Sequence, residues 1–162
     1  MLIIVMKLLN KDSKGFTLIE LLVVIGILGI LLAIVLIAIN PARQFAQANN
    51  TARRSDVNTL LNAVHQYAAD NKGLLPANMP AKGAAAVLIE KTGGADICAA
   101  VSPTYVAQLP TDPTLNVAAV SDCTAAYNTG YNVSVDLSGR VTVAAPGAEA
   151  VGGTTPVISV TR

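Results

Sequence analysis

The chain has 162 residues, enough for one domain with a modest core. Apolar residues make up 52% of it, charged residues 13%, and the formal net charge is +1. That balance is greasier than an average soluble domain and offers no global field to a nucleic acid or an acidic substrate; with two Phe, four Tyr and no Trp it also lacks a base-stacking platform.

The first predicted element is an apolar helix. Leu21 to Ile39 carries no charge. As a helix it would span about 28 Å, close to the thickness of a hydrocarbon core. It is expected to end at Asn40-Pro41, where proline removes a donor and disfavours helix in the residue before it. Ahead of it Lys7, Lys11 and Lys14 stand against one acid, Asp12. That bias places the N-terminus in the cytoplasm and the rest of the chain outside. The apolar run is too long for an ordinary secretory signal, and no Ala-x-Ala cleavage site follows it. A cut at Gly15-Phe16 would fall before the run and leave it on the mature protein. Gly26 and Gly29 lie inside the span without G-x-x-x-G spacing. They read either as plain tolerance of glycine in a membrane or as a locally weak helix suited to a packed assembly.

Glu20 is the one acid at the start of that run. Thr17-Leu18-Ile19-Glu20 fits the S/T-x-x-E capping box, in which the carboxylate reaches back to a backbone N–H. This needs only a helix starting at Thr17. A second use of the same carboxylate lies between subunits. If the chain is cut after Gly15, Phe16 acquires a free α-amine about one turn from Glu20. In a bundle of such helices each carboxylate can pair with a neighbour's amine. A charge left alone in hydrocarbon costs about 2.5–3.5 kcal/mol at the bilayer centre on insertion scales, less near an end. Pairing relieves that cost only in the right axial register.

Lys14-Gly15-Phe16-Thr17-Leu18-Ile19-Glu20, followed by the apolar run, resembles the start of type IV prepilins and of the related type II secretion pseudopilins. The resemblance implies a prepilin peptidase that cuts between Gly15 and Phe16 and methylates the Phe16 amine. It implies filament assembly through Phe16 and Glu20, with copies of the chain as partners in a helical filament. A cytoplasmic assembly ATPase, a membrane platform protein and the inner membrane are the other implied partners. Gly29 is also family-like. Many relatives carry a proline in the later half of the span, around Ile37, whereas here the first is Pro41, a departure that bears on where the helix kinks.

Residues 42–70 are expected to continue as an amphipathic helix. Val57, Leu60, Leu61, Val64 and Ala68 form one apolar stripe, with Asn58, Asn62, Gln66 and Asp70 off it. Arg53 and Arg54 are expected to face solvent or a neighbouring subunit. Asn71-Lys72-Gly73 is a helix stop, and Leu74 to Pro80 a connecting loop. Ala84 to Ile89 is a short helix candidate, ended by Thr92-Gly93-Gly94. Cys98 and Cys123, an even pair in the exported part, read as a disulfide. Closing a ring of about 26 residues would stabilise by roughly 3–4 kcal/mol through chain entropy; two buried free thiols are the alternative.

Tyr105-Val-Ala-Gln-Leu-Pro110-Thr-Asp112-Pro113 resembles the Y-x-x-x-L-P-x-D-P stretch common in Gram-positive pilins and major pseudopilins, and a structural role is expected for it. Tyr131 to Val135 and Arg140 to Ala144 alternate about the turn residues Asp136 to Gly139, the pattern of a β-hairpin. Pro156 to Thr161 is a third strand candidate after the Gly-rich stretch 146–155. The expected fold class is α+β, the pilin fold: a long N-terminal helix with an apolar transmembrane half and an amphipathic half, packed on a small C-terminal antiparallel sheet. The expected divisions are a leader at 1–15, a transmembrane and filament-core half at 16–40, an amphipathic half at 41–70 and a globular head at 71–162.

Little points to catalysis. His65 is the only histidine, and no P-loop, paired catalytic acids or C-x-x-C occurs. Asp112, Asp122 and Asp136 could bring oxygens to calcium, but their spacing fits no EF-hand. No catalytic residue, cofactor or metal is assigned. Asn49-Asn50-Thr51 and Asn132-Val133-Ser134 match N-glycosylation acceptors.

The resulting expectation is a type IV pilus subunit and not an enzyme. It would be held in the cytoplasmic membrane before assembly and in an extracellular pilus after it. The nearest alternative is a pseudopilin of a secretion machine, although those usually extend L-P-x-D-P with Trp-Gly-x-Pro-Tyr, where here Pro113 is followed by Thr-Leu-Asn. A DNA-uptake pilus subunit would need a basic or aromatic patch. Residues 71–162 carry Lys72, Lys82, Lys91, Arg140 and Arg162 against more acids, which disfavours nucleic acid. A membrane-anchored domain with no filament is the remaining alternative.

Overall fold

The computed structural model describes residues 15–38 and 40–162. Residues 1–14, which hold most of the expected leader and the Lys7, Lys11, Lys14 and Asp12 charge bias, lie outside the described residues, as does Ile39. The chain forms two compact units divided after Pro41.

In the first unit, α1 spans Leu18–Ala38. Beyond Glu20 in its first turn its residues are apolar on every side, and none from Leu18 to Leu36 is buried. A helix of this kind has no wet face to offer water and must be covered by lipid or protein. The sequence places its start at the Thr17 cap, and the structure agrees within a residue.

α2 spans Pro41–Asp70, and all but its first residue lie in the second unit. Pro41 sits at the first helical position, where its missing N–H costs nothing and its fixed φ suits the helix. The stripe expected from periodicity is buried: Val57, Leu60, Leu61, Val64 and Ala68 all face the core. The helix stops where Lys72 and Gly73 turn left-handed, at φ 57° and 84°. The Gly73 N–H then donates to the Ala68 carbonyl at 2.7 Å, closing the helix end.

Four strands form one antiparallel sheet in the order β1-β2-β3-β4. They are β1 Val87–Glu90, β2 Asn128–Val135, β3 Val141–Ala144 and β4 Ser159–Thr161. The hairpin β2-β3 and the strand β4 fall where alternation put them. The segment Ala84 to Ile89 does not form the expected helix. Its second half is strand β1, with Val87 opposite Val133 and Leu88 opposite Asn132. So short a helix is marginal in water even with alanines, whereas Val87 and Ile89 suit a half-buried strand, and Ile89 is fully buried there.

One face of the sheet and the α2 stripe share a single core. Thr129, Tyr131, Val133 and Val135 alternate inward along β2, and Val141 and Val143 do so along β3. They meet Val57, Leu60, Leu61 and Val64 together with Ile89, Ile97, Leu109 and Ile158. Each fully buried aliphatic side chain of this set contributes about 1.5–3 kcal/mol relative to exposure. The four-residue helix α3, Cys98–Val101, starts at the disulfide that joins Cys98 to Cys123.

Candidate functional site

Of the site residues expected from the sequence, Gly15, Phe16 and Glu20 lie at the entry to α1, and Cys98 and Cys123 form the disulfide of the second unit. Gly15, Phe16 and Thr17 precede the helix in irregular backbone. Nothing lies within 4 Å of where a Gly15 side chain would sit, and Phe16 is 82% exposed. Thr17 and Glu20 close a full capping box. The Thr17 N–H and hydroxyl donate to Glu20 Oε2 at 2.8 and 2.7 Å, and the Glu20 N–H donates to Thr17 Oγ1 at 3.3 Å. This satisfies donors that the helix start would leave orphaned and sets a negative charge against the positive end of the helix dipole. Both bonds to the carboxylate fall on Oε2; neither uses Oε1.

The span behind this cap, Leu18–Leu36, has a mean hydropathy of 3.1 and is long enough to cross a membrane. Gly26 and Gly29 lie on it with open space where side chains would be. They leave two shallow gaps in an otherwise bulky surface, positions where another helix backbone can come close.

The head holds a second constellation that the sequence reading missed. Arg53 was expected at the surface with Arg54. Arg54 is exposed, but Arg53 is 0% exposed and sits in the interior. Its Nε and Nη2 grip both oxygens of Asp112 at 2.7 and 2.8 Å. Nη1 donates to Asn50 Oδ1 at 3.0 Å and to Glu149 Oε2 at 2.8 Å, and Nη2 also reaches Thr114 Oγ1 at 3.3 Å. All five N–H donors of the guanidinium are thereby used. The reason for the correction is phase. Ala46, Asn50 and Arg53 continue the Val57–Leu60 stripe backwards at helical spacing, and all three are buried. That spacing was the available signal, and the charge of arginine hid it.

This network explains the Tyr105–Pro113 stretch as structural. The Tyr105 hydroxyl donates to Asp70 at 2.9 Å near the end of α2, Leu109 is buried, and Asp112 meets Arg53. Asp112 also accepts the Thr114 N–H at 2.9 Å and caps the 3-10 turn Pro113–Leu115, which begins with Pro113. The stretch thus runs along α2 from its last turn to its middle. Glu149 ties the Gly-rich segment to the same helix: its backbone N–H and C=O pair with the side-chain amide of Asn50 at 2.9 and 2.7 Å, and Asn49 donates to its carboxylate at 2.8 Å.

The electrostatics follow from these contacts. Burial works to raise the Asp112 pKa, but hydrogen bonds from Arg53 and Thr114 outweigh it and hold the carboxyl below its usual range. Hydrogen bonds from Arg53 and Asn49 lower Glu149. Asp56 is pushed the other way, raised by burial although the Tyr131 hydroxyl donates to it at 2.6 Å. The three aspartates weighed for calcium have separate partners: Asp112 holds Arg53, Asp122 caps Thr124, and Asp136 pairs with Arg140 at 2.7 Å. Among the described residues no group of three or more His, Cys, Asp or Glu is arranged to hold a metal. Of the two glycosylation acceptors, Asn49 is engaged with Glu149, and Asn132 lies mid-sheet in β2.

Comparison with known proteins bears on the α1 cluster alone. Residues 10–36 match the family model described as the prokaryotic N-terminal methylation motif. No curated protein and no solved structure matches the chain significantly. Such a signal implies processing by a prepilin peptidase and an assembly machinery. The chain therefore carries the N-terminal methylation motif that is the class III signal peptide of type IV pilins and pseudopilins, and this motif points to a structural subunit and not to an enzyme.

Proposed function

We propose that the chain is the structural subunit of a type IV pilus. Residues 1–15 are the leader, cut between Gly15 and Phe16, and the new Phe16 amine is methylated. Residues 16–40 wait in the cytoplasmic membrane and then form the filament core, 41–70 carry the head, and 71–162 form the outward surface of an extracellular filament. A cytoplasmic ATPase and a membrane platform protein drive the transfer.

The observation that supports this reading most is α1 itself, apolar on every side beyond Glu20, with none of Leu18 to Leu36 buried among the described residues. Outside a bilayer such a helix has to be buried in copies of itself, at about 25 cal/mol for each Å² of apolar surface removed from water. Glu20 then serves twice. The carboxylate caps its own helix through Oε2, and in the filament the same group would accept the Phe16 amine of a neighbour. An acid in an apolar bundle tolerates only the axial positions at which it finds a cation, so the pair sets register.

Electron microscopy of sheared surface material, with mass spectrometry of the released subunit, tests the proposal. Fibres whose subunits begin at N-methylated Phe16 are expected. Fibres of normal number from a Gly15→Val chain that retains its leader would overturn it.

A further inference from the structure

A polar bracket surrounds the Cys98–Cys123 disulfide. Both oxygens of Asp96 are used: Lys91 Nζ donates to Oδ2 at 2.9 Å and the Tyr127 hydroxyl donates to Oδ1 at 2.7 Å. The bracket reaches each cysteine through its backbone. Lys91 Nζ also donates to the Cys123 carbonyl at 2.8 Å, and the Cys98 N–H donates to the Tyr127 hydroxyl at 3.3 Å. The Lys91 N–H completes it by donating to the Tyr127 carbonyl at 3.0 Å.

These contacts close almost the same ring as the sulfurs. Tyr127 and Asp96 stand 31 residues apart, Lys91 and Cys123 stand 32 apart, and the cysteines are separated by 25. The approach to Cys98 is fixed by the core as well. Ala95, Ile97 and Cys98 are fully buried, and the Ala95 N–H donates to the Leu88 carbonyl at 2.7 Å. None of these contacts is made by a sulfur atom. A disulfide stabilises chiefly by removing loop freedom from the unfolded chain, whereas the bracket holds the ring together in the folded one.

We propose that the Lys91–Asp96–Tyr127 bracket closes the Cys98–Cys123 ring before the sulfurs are joined, so that the head folds with both thiols reduced and oxidation locks a preformed ring. The chemistry is ordinary exchange with a disulfide oxidant such as oxidised glutathione. One cysteine thiolate attacks the oxidant and forms a mixed disulfide, expelling one glutathione thiolate. The second cysteine thiolate then attacks the mixed disulfide at the protein sulfur and expels the other. The protein loses two electrons and two protons, and glutathione disulfide becomes two reduced glutathiones. The bracket acts through effective concentration, holding the second thiol where the mixed disulfide forms.

The test uses the full chain in detergent micelles, reduced with a phosphine. Hydrogen exchange read by mass spectrometry should show reduced wild type keeping the protection of residues 87–127 seen in the oxidised protein. A Lys91→Met/Tyr127→Phe chain should keep that protection when oxidised and lose it when reduced. Its disulfide should also form about tenfold or more slowly from the reduced state in a glutathione buffer, since at least two hydrogen bonds are lost. Loss of head protection in reduced wild type would overturn the proposal whatever the variant does. So would a variant that stays protected when reduced and oxidises at the wild-type rate.

Discussion

Arg53 and Asp112 stand 59 residues apart in sequence and meet inside the head through two parallel hydrogen bonds, at 2.7 and 2.8 Å. One partner belongs to α2 and the other to the loop before the 3-10 turn. The pair therefore fastens the long Tyr105–Pro113 stretch to the helix. Asn50 and Glu149 extend the same fastening to the Gly-rich segment, so three parts of the head converge on one guanidinium.

Removing the cation leaves Asp112 buried without its partner. Arg53→Met is expected to cost about 3–5 kcal/mol of head stability, the usual penalty for breaking a buried pair from one side. Arg53→Met/Asp112→Leu should cost clearly less than the sum of the single changes, because no uncompensated charge remains. Urea titration of the full chain in micelles, followed by tyrosine fluorescence, measures both.

The same carboxylates contribute to the acid limit of the head, together with Asp96, Asp122 and Asp136, which hydrogen bonds also hold low. Asp112 and Glu149 titrate below their ordinary values in the folded state. A carboxyl with a depressed folded pKa contributes stability that is whole above its unfolded value. That contribution is lost as pH falls through the folded one. Asp56, raised by burial, has the opposite sign: its ionised form burdens the fold at neutral pH, and protonation relieves it. The urea midpoint should therefore hold or rise slightly as pH is lowered from 7 toward about 5, then fall below about 4, the ordinary carboxylate range. Asp56→Asn should flatten the first limb and Asp112→Asn the second.

What the sequence disclosed and what it hid divide by range. The capping box was legible because Thr17 and Glu20 meet one turn apart and need nothing else. The α2 stripe and the β2-β3 hairpin were legible because their apolar residues repeat at 3.6 and 2. Arg53 was misplaced because a charged residue reads as exposed unless its partners are known, and these lie 59 and 96 residues away. Strand β1 was mistaken for a helix because Ala84 to Ala86 carry helix propensity, while what decides the matter is pairing with β2, 38 to 46 positions on by register. Glu149 gave no signal at all, lying alone in a Gly-rich stretch.

Gly94 is required by a close approach that its neighbours create. A Cβ there would overlap the Leu88 carbonyl oxygen, the atom that accepts the Ala95 N–H. Backbone cannot yield as a flexible side chain can, so Gly94→Ala should cost about 1–3 kcal/mol, the range for overpacking. Gly152 provides the comparison. It has open space around it, and only its φ of 65° resists a side chain, so Gly152→Ala should cost less, about 1 kcal/mol. Thermal unfolding of the two variants side by side checks the order.

The two uses of Glu20 can be separated by substitution. Glutamine fills the same place in a capping box but carries no charge. If the acid serves only its own helix start, Glu20→Gln should behave as wild type, while Thr17→Ala, which deletes the hydroxyl that both accepts from and donates to Glu20, should do the harm. That change would cost about 0.5–2 kcal/mol of helix stability. If the charge pairs with a neighbour's Phe16 amine, the order reverses. Glu20→Gln then leaves monomer in the membrane and few or no fibres, whereas Thr17→Ala assembles near normally with a more frayed helix end. Counting fibres by electron microscopy, with subunit levels in membranes measured alongside, decides between the two. Wild-type fibre number from Glu20→Gln would remove the carboxylate's charge from any account of assembly and leave it as a cap.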